Sequence, residues 1–412
     1  MPRLLLLIST QSYRAGAFLD AARALGVEFT VGSNRAQALA GLNPAGHLEL
    51  DFRDPNAALE RIVEFSRRHP IDAVVAADDD GALLAARASR ALGRVAHAPE
   101  AVAMARDKLA AREAFARAGL LTPEHVTVPI GDDPSSWAAR VRYPCVLKPR
   151  GLSASRGVIR ADDAVGFGAA FRRIAAMLAA EPPRASGEPP IDSLLVERFI
   201  PGEEVALEGL VTGGALETLA IFDKPDPLDG PFFEETLYVT PTRKREELQR
   251  EIHDTAARAI GALGLGHGPV HAEFRLNAEG VWPLEIAPRS IGGLCSRALR
   301  FGEGESLETL LLRHALDLDV RNVRRERAAS GVMMIPIPRA GILRGIGGIE
   351  RARGEPGITD VRISIPVGAR LTPLPEGSQY LGFVFARGAE PEEVEQALRR
   401  AHQRLTFDIA PV

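Results

Sequence analysis

Cysteine is nearly absent: Cys145 and Cys295 are the only two in 412 residues. Two cysteines build neither a disulfide framework nor a Cys-rich metal site, and they point to a reducing compartment, with cytoplasm as the default. Long apolar runs are missing too. The longest at the start, Leu4-Leu5-Leu6-Leu7-Ile8, stops at Ser9 with no small-residue cleavage site, so it reads as a buried strand and not as a leader. No run approaches the ~18–20 residues that cross a bilayer. Charge of one sign is also lacking. Fifty basic against 54 acidic residues leave a formal net charge of -4, which gives nucleic acid or an anionic membrane no electrostatic reason to bind. The turn after the first strand lacks the GxGxxG of dinucleotide binders, and no Gly-Lys-Ser/Thr of the Walker type occurs. Internal repeats are absent.

What remains is an ordinary globular composition, 46% hydrophobic and 25% charged, on a chain long enough for two or three lobes. Strands at Arg3–Ile8, Glu28–Val31 and Ala73–Ala77 alternate with helices at Ala15–Leu25 and Ala57–Arg68, the pattern of a parallel α/β layer. Pro99 opens a helix that runs through Met104 and Lys108 to Ala118, and Gly119 caps it. Tyr143–Pro149 is a new strand, Glu181–Pro190 a surface loop and Leu194–Glu197 another strand. Val332–Pro336 restarts the strand signal, a Gly/Pro-rich stretch follows to Gly377, and Pro391–Leu405 is an amphipathic helix. Boundaries fall near residues 100 and 328.

Four stretches carry chemistry. In the first, Lys148 ends a buried strand and a loop of Gly and Ser follows, from Gly151 through Ser153 and Ser155 to Gly157. A phosphate chain needs a fixed cation and close backbone N–H groups, and this layout supplies both. Lys108, on the preceding helix, can reach the same anion. In the second, Leu194 to Gly209 reads as a strand, a Pro201-Gly202 turn and a returning strand. Such a hinge offers backbone polar groups to an adenine edge and Glu204 to ribose hydroxyls. The third is a hairpin from Gly268 to Arg289. With a three-residue loop, Ala278-Glu279-Gly280, Glu273 faces Glu285, and His271 and Ala287 share that face. Two opposed carboxylates call for a cation between them, and Mg²⁺ shared with phosphates is the natural one. The fourth is Arg289, whose guanidinium fork suits a carboxylate or acyl phosphate, followed by Gly292-Gly293.

In this order the stretches resemble the ATP-grasp superfamily over nearly the whole chain. The resemblance implies an α/β fold with a Rossmann-like N-terminal lobe (1–100), central ATP-grasp lobes (101–328, with an ATP-covering subdomain at 122–200 that moves) and a C-terminal closing lobe (329–412). It assigns Lys108 and Lys148 to the α- and β-phosphates, the Gly151–Gly157 loop with Ser153 and Ser155 to the phosphate tail, Glu197, Arg198 and Phe199 to adenine, and Glu204 to ribose. Glu273 and Glu285 would bind Mg²⁺, with Mn²⁺ as the alternative. Ala287 stands where the superfamily's Glu-x-Asn-x-Arg has asparagine, which argues against carboxylases of biotin and purine metabolism.

The His271-x-Glu273 and Glu285-x-Ala287-x-Arg289 pattern looks closest to L-amino acid ligases of the bacilysin-synthetase type. That likeness implies a ligase that uses ATP to activate a small carboxylate and join it to an amine, with Lys148, His271 and Arg289 as catalytic residues, no nucleic acid or membrane partner, and a homodimer as the usual assembly. His271 would orient the substrate or take the amine's proton. Gly293, where a bulky aromatic can stand in those enzymes, implies a roomier pocket. The rival readings are an ATP-grasp enzyme acting on carboxyphosphate or formyl phosphate in nucleotide metabolism, and a non-catalytic nucleotide-binding module. Phe232–Thr236 is expected to face the substrate, and both cysteines are expected to be structural.

Overall fold

The computed structural model describes residues 1–9, 12, 14–35, 45–181, 188–321 and 323–411; most of the loop expected at 181–190 lies outside them. The first sheet is parallel throughout, in the order His47–Glu49, Glu28–Ser33, Arg3–Leu7, Ala73–Ala76. The apolar run at its centre is explained by burial on both faces. Leu4 and Leu6 pack with Phe18 on one side, and Leu5 and Leu7 with Ile62 on the other. Helix Ala15–Leu25 has the bounds its periodicity predicts, whereas helix Asp79–Ala91 was not anticipated.

The helix expected from Pro99 to Ala118 is two helices, Pro99–Arg106 and Lys108–Arg117. Asp107 breaks it. Its backbone is extended, and its carboxylate accepts from the Leu109 N–H (3.0 Å) as an N-cap and from Arg150 Nε (3.1 Å). A short acidic side chain that can cap a new helix competes with continuing the old one. Lys108 therefore stands at a helix start, where its Nζ reaches the Leu152 carbonyl (2.6 Å).

A second, antiparallel sheet runs His125–Pro129, Ser193–Arg198, Cys145–Pro149, Ile159–Ala161, covered by helix Ala164–Ala179. The third has eight antiparallel strands. It runs from Gly280–Ala287 through Gly268–Asn277, Glu203–Thr212, Ala215–Lys224, Leu237–Thr240, Ala329–Ile335 and Gly382–Gly388 to Ile358–Ile363. The expected hairpin at Leu194–Gly209 is thus a crossing: its two strands belong to different sheets. Gly202 makes the crossing possible, because at φ +133° it lies so close to the neighbouring strand that a Cβ would meet the Leu276 oxygen at 2.2 Å. The Gly/Pro-rich stretch before Gly377 is more regular than expected. It holds strands Gly341–Gly347, Ile358–Ile363 and Arg370–Leu371 and a short helix, Ile349–Arg353. Among the described residues, no helix is long and apolar enough to cross a membrane.

Where the parallel sheet meets the large sheet, three histidines gather. His97 Nε2 donates to the Pro269 carbonyl (3.1 Å) and its Nδ1 accepts the His267 N–H (3.2 Å), a pairing only the neutral ring can make. His267 stacks on His314 at 4.2 Å. Burial lowers all three, His97 and His314 to about 4. An unfolded histidine takes a proton near pH 6.5 while these stay neutral, so their contribution is complete above that pH and is lost as pH falls toward 4. For His97 alone the loss is roughly 3 kcal/mol. Urea unfolding of His97→Gln should accordingly show a shallower fall in stability between pH 7 and pH 5 than the unaltered protein, and equal slopes would refute this account.

Candidate active site

The edge strand of the large sheet, Gly280–Ala287, and its neighbour Gly268–Asn277 carry the acids. Glu273 pairs with Glu285 and His271 with Ala287, as the sequence implies, but by another route. The hairpin closes at Asn277–Gly280 with a two-residue loop, and a bulge at Leu284 then shifts the register by one. Without the bulge Leu284 would face Glu273.

Two adjoining cavities lie against this hairpin. The front one, 820 Å³, is bounded by Lys108, Lys148, Ser153, Ser155, Glu273 and Glu285, with an apolar slot between Val146, Ile200, Phe233 and Leu284. The rear one, 1350 Å³, shares both acids and the 153–155 loop and continues past His271 and Arg289 to Asp78 and Tyr380. Of the residues assigned from sequence, Gly151 lines neither, and nor does Gly157. Its N–H is given to the Pro375 carbonyl (2.9 Å), and a Cβ on it would strike Pro149 at 2.8 Å, so it shapes the loop and does not touch the cavity.

Lys148 belongs to a buried triad: its Nζ lies 2.5 Å from Glu197 Oε2, and Arg112 Nε donates to Glu197 Oε1 (2.6 Å). Burial opposes ionisation of Glu197, but Arg112 and then Lys148 outweigh it and hold the carboxyl at about 2. Burial likewise lowers Lys148, only partly offset by Glu197. The Glu197 side chain is therefore a counter-ion and is not free for adenine. The hinge N–H groups are also taken, Arg198 by the Glu124 carbonyl and Phe199 by that of Pro144, both at 2.9 Å. Glu204, assigned to ribose, instead accepts from Arg275 Nε (2.8 Å) and faces Lys224 (3.4 Å).

Lys224 was missed. Its buried ammonium contacts Glu235 and lies 3.4 Å from both Glu204 and Glu273, above the Tyr238 ring. Burial would strip its proton, but Glu235, Glu273 and Glu204 together hold it far above the usual lysine range. Three carboxylates that could hold a metal converge there, Glu204, Glu235 and Glu273, but the lysine already supplies the cation. Burial also opposes ionisation of Glu273, and Lys224 and then His271 overcome it.

His271 lies between acids, with Nδ1 3.1 Å from Glu208 and Nε2 3.4 Å from Glu273. Burial lowers it, yet hydrogen bonds to Glu208 and Glu273 prevail and raise it to about 9. Glu208 also accepts the Ile291 N–H on both oxygens (3.1 and 3.0 Å); burial raises its carboxyl, opposed by His271 and by this N–H. An acid at each ring nitrogen favours the protonated ring, an arrangement suited to holding Glu273 in place.

Glu285 differs. Among the described residues no hydrogen bond or ion pair holds it, and it opens to both cavities. An open carboxylate opposite a second one, with only oxygen donors, fits Mg²⁺.

Arg289 reaches across to the parallel sheet, donating to Asp79 Oδ2 (2.8 Å) at the start of helix Asp79–Ala91. Beside it Asp78 Oδ2 faces Ser9, while its Oδ1 is buried and has no partner among the described residues. Burial, then Asp80 and Asp79, raise Asp78. Gly293 leaves no extra room: a Cβ there would lie 3.1 Å from the Phe383 ring. Cys145 is pushed up to about 12 by burial, and burial raises Cys295 further, so neither is a nucleophile. In the segment expected to face the substrate, Phe233 and Glu235 line the front cavity.

The missed residues had a signal. Glu208, Lys224 and Arg275 each sit in or end a strand whose residues are largely buried, where an unpaired charge would be prohibitive. Their partners could not be read without the strand order.

Comparison with known proteins gives three matches to family descriptions: an ATP-grasp N-terminal domain over residues 19–93, an ATP-grasp domain over 141–298, and an L-amino acid ligase C-terminal domain 2 over 333–410. The crystal structure of an L-amino acid ligase from Bacillus licheniformis superposes with a TM-score of 0.85 at 26% identity, covering 99% of each chain. Alanine–anticapsin ligase from Bacillus amyloliquefaciens is 28% identical over 250 residues, 57% of this chain and 52% of that protein. The chain spans about half to two-thirds of the length of the curated relatives it matches. A carboxyaminoimidazole ribonucleotide synthase from Aspergillus clavatus, solved with ATP, shares the fold at 16% identity, with a TM-score of 0.71 and 97% and 98% coverage.

Proposed function

Because this chain has the ATP-grasp fold over its length, we propose that it is an ATP-dependent ligase that joins a carboxylate to an amine, both amino-acid-like, through an acyl phosphate. The observation that carries this reading is the convergence of Lys108, Lys148, Glu273, Glu285 and Arg289 on two adjoining cavities. The apolar slot suits a flat base, and the lysines with the 153–155 backbone suit a phosphate chain. Mg²⁺ would be held by Glu285 and Glu273, and when bound it supplies charge neutralisation on the phosphates.

In the rear cavity the substrate carboxylate oxygen attacks the γ-phosphorus, the bond to the β-phosphate oxygen breaks, and ADP leaves. The amine nitrogen then attacks the acyl carbon, phosphate departs with the bonding electrons, and the nitrogen loses a proton. Lys148 offsets charge on the transferring group, Lys224 holds the acids beneath the site, and Arg289 orients the carboxylate. His271, between Glu208 and Glu273, keeps Glu273 ionised and in place. Asp78 supports the amino-acid reading: a buried carboxylate oxygen without a partner among the described residues, lining the same cavity as Arg289, suits an ammonium as Arg289 suits a carboxylate.

The test is phosphate release from MgATP by purified protein across a matrix of amino-acid pairs, with mass detection of the condensed product. Release that needs two substrates and yields an amide is the expected result. Release driven by bicarbonate or formate instead would move the assignment to carboxyphosphate or formyl-phosphate chemistry, and nucleotide binding without release would leave a binding module.

A further inference from the structure

The segment Thr372–Tyr380 leaves the C-terminal part of the chain and touches both halves of the site. At one end the Pro375 carbonyl accepts the Gly157 N–H (2.9 Å), and the Glu376 carbonyl accepts from Arg156 Nε (3.2 Å). The Glu376 carboxylate takes both Arg173 Nε (2.6 Å) and Arg173 Nη2 (2.9 Å) from the helix behind the phosphate-facing loop. At the other end Ser378, Gln379 and Tyr380 line the rear cavity. Gly377 joins the ends in a turn so tight that a Cβ would lie 1.8 Å from the Thr372 oxygen. Tyr380 is anchored edge-on against Phe383 in the large sheet.

A ligase that forms an acyl phosphate must cover it before water reaches it, and must do so only when its second cavity is filled. The segment has the reach and stiffness for that coupling, and a bidentate carboxylate–guanidinium pair has the geometry for a reversible clasp. Resting on the ligase reading above, we propose that Glu376 is a positioning residue that seats the Gly151–Gly157 loop over the nucleotide in response to occupancy of the rear cavity.

The test compares Glu376→Ala, Glu376→Gln and the exchanged pair Glu376→Arg with Arg173→Glu, using the dissociation rate of N-methylanthraniloyl-ADP with Mg²⁺. Glu376 is a surface side chain, so these variants should keep the native unfolding midpoint. Release should be about fivefold to tenfold faster in Glu376→Ala, less so in Glu376→Gln, and restored toward normal by the exchange. A mixture of L-amino acids should slow release from the unaltered protein and not from Glu376→Ala, which should also release more phosphate per amide formed. Unchanged release in Glu376→Ala, or an amino-acid effect of equal size in both proteins, overturns the proposal. Absence of any amide from the unaltered protein would instead sink the ligase reading, and the release rates would still decide whether Glu376 seats the loop.

Discussion

Lys224→Met should be the most damaging single substitution in the molecule, costing about 3–5 kcal/mol of stability at neutral pH and abolishing phosphate release. The methionine fills the volume but leaves Glu204, Glu235 and Glu273 facing one another with Arg275, His271 and the more distant Arg289 as remaining counter-charges. The pH dependence identifies the cause. Without the ammonium, the native carboxylates rise above their unfolded values, so the folded state takes up protons that the unfolded chain does not. Stability of the variant must then climb relative to the unaltered protein as pH falls from 7.5 toward 5. Urea unfolding at those two pH values measures this, and Lys224→Met with Glu235→Gln should recover part of the loss. A deficit that does not change with pH would mean that packing, and not charge, is what Lys224 provides.

Glu285→Gln should behave in the opposite way. No described hydrogen bond or ion pair holds this carboxylate, and its cross-strand neighbour Glu273 carries the same charge. Removing the charge relieves a like pair, so the unfolding free energy should stay the same or rise by up to about 0.5 kcal/mol. Activity should nevertheless fall about 10²–10³-fold, the scale of losing one group that stabilises charge in a transition state. Stability held while turnover collapses marks a residue kept for chemistry at some expense to the fold. Steady-state phosphate release with MgATP, beside a urea curve, checks both halves. Full activity would remove Glu285 from the proposed metal set.

The same two residues divide what was legible in the sequence from what was not. Glu285 could be found because its partner lies twelve residues away on one hairpin, where strand period and turn chemistry are local. Even so the loop was misjudged: two residues and a bulge do the work expected of three. The all-leucine run at Leu4–Leu7 and helix Ala15–Leu25 were likewise set by local pattern. Lys224 could not be placed, because its three acids come from three other segments that meet only through the order of strands in the large sheet. The crossing at Gly202 misled for the same reason, since two strands joined by a Pro-Gly turn look like a hairpin unless their sheets are known. The surroundings of His271 were hidden likewise, because Glu208 is a neighbour across the sheet and 63 positions away in sequence.

The bulge at Leu284 bears on how the chain could change in length. Alternation along a strand has only two states, so Glu285 is kept on the cavity face by parity and not by its distance from the turn. Residues inserted between Asn277 and Gly280 would bulge into solvent and leave that parity alone, and losing Leu284 itself would merely close the ladder. A residue added or lost elsewhere between Glu273 and Glu285 would turn one of the two carboxylates toward the helix side of the sheet, so insertions and deletions here are permitted at the tip and at the bulge and are forbidden along the arms.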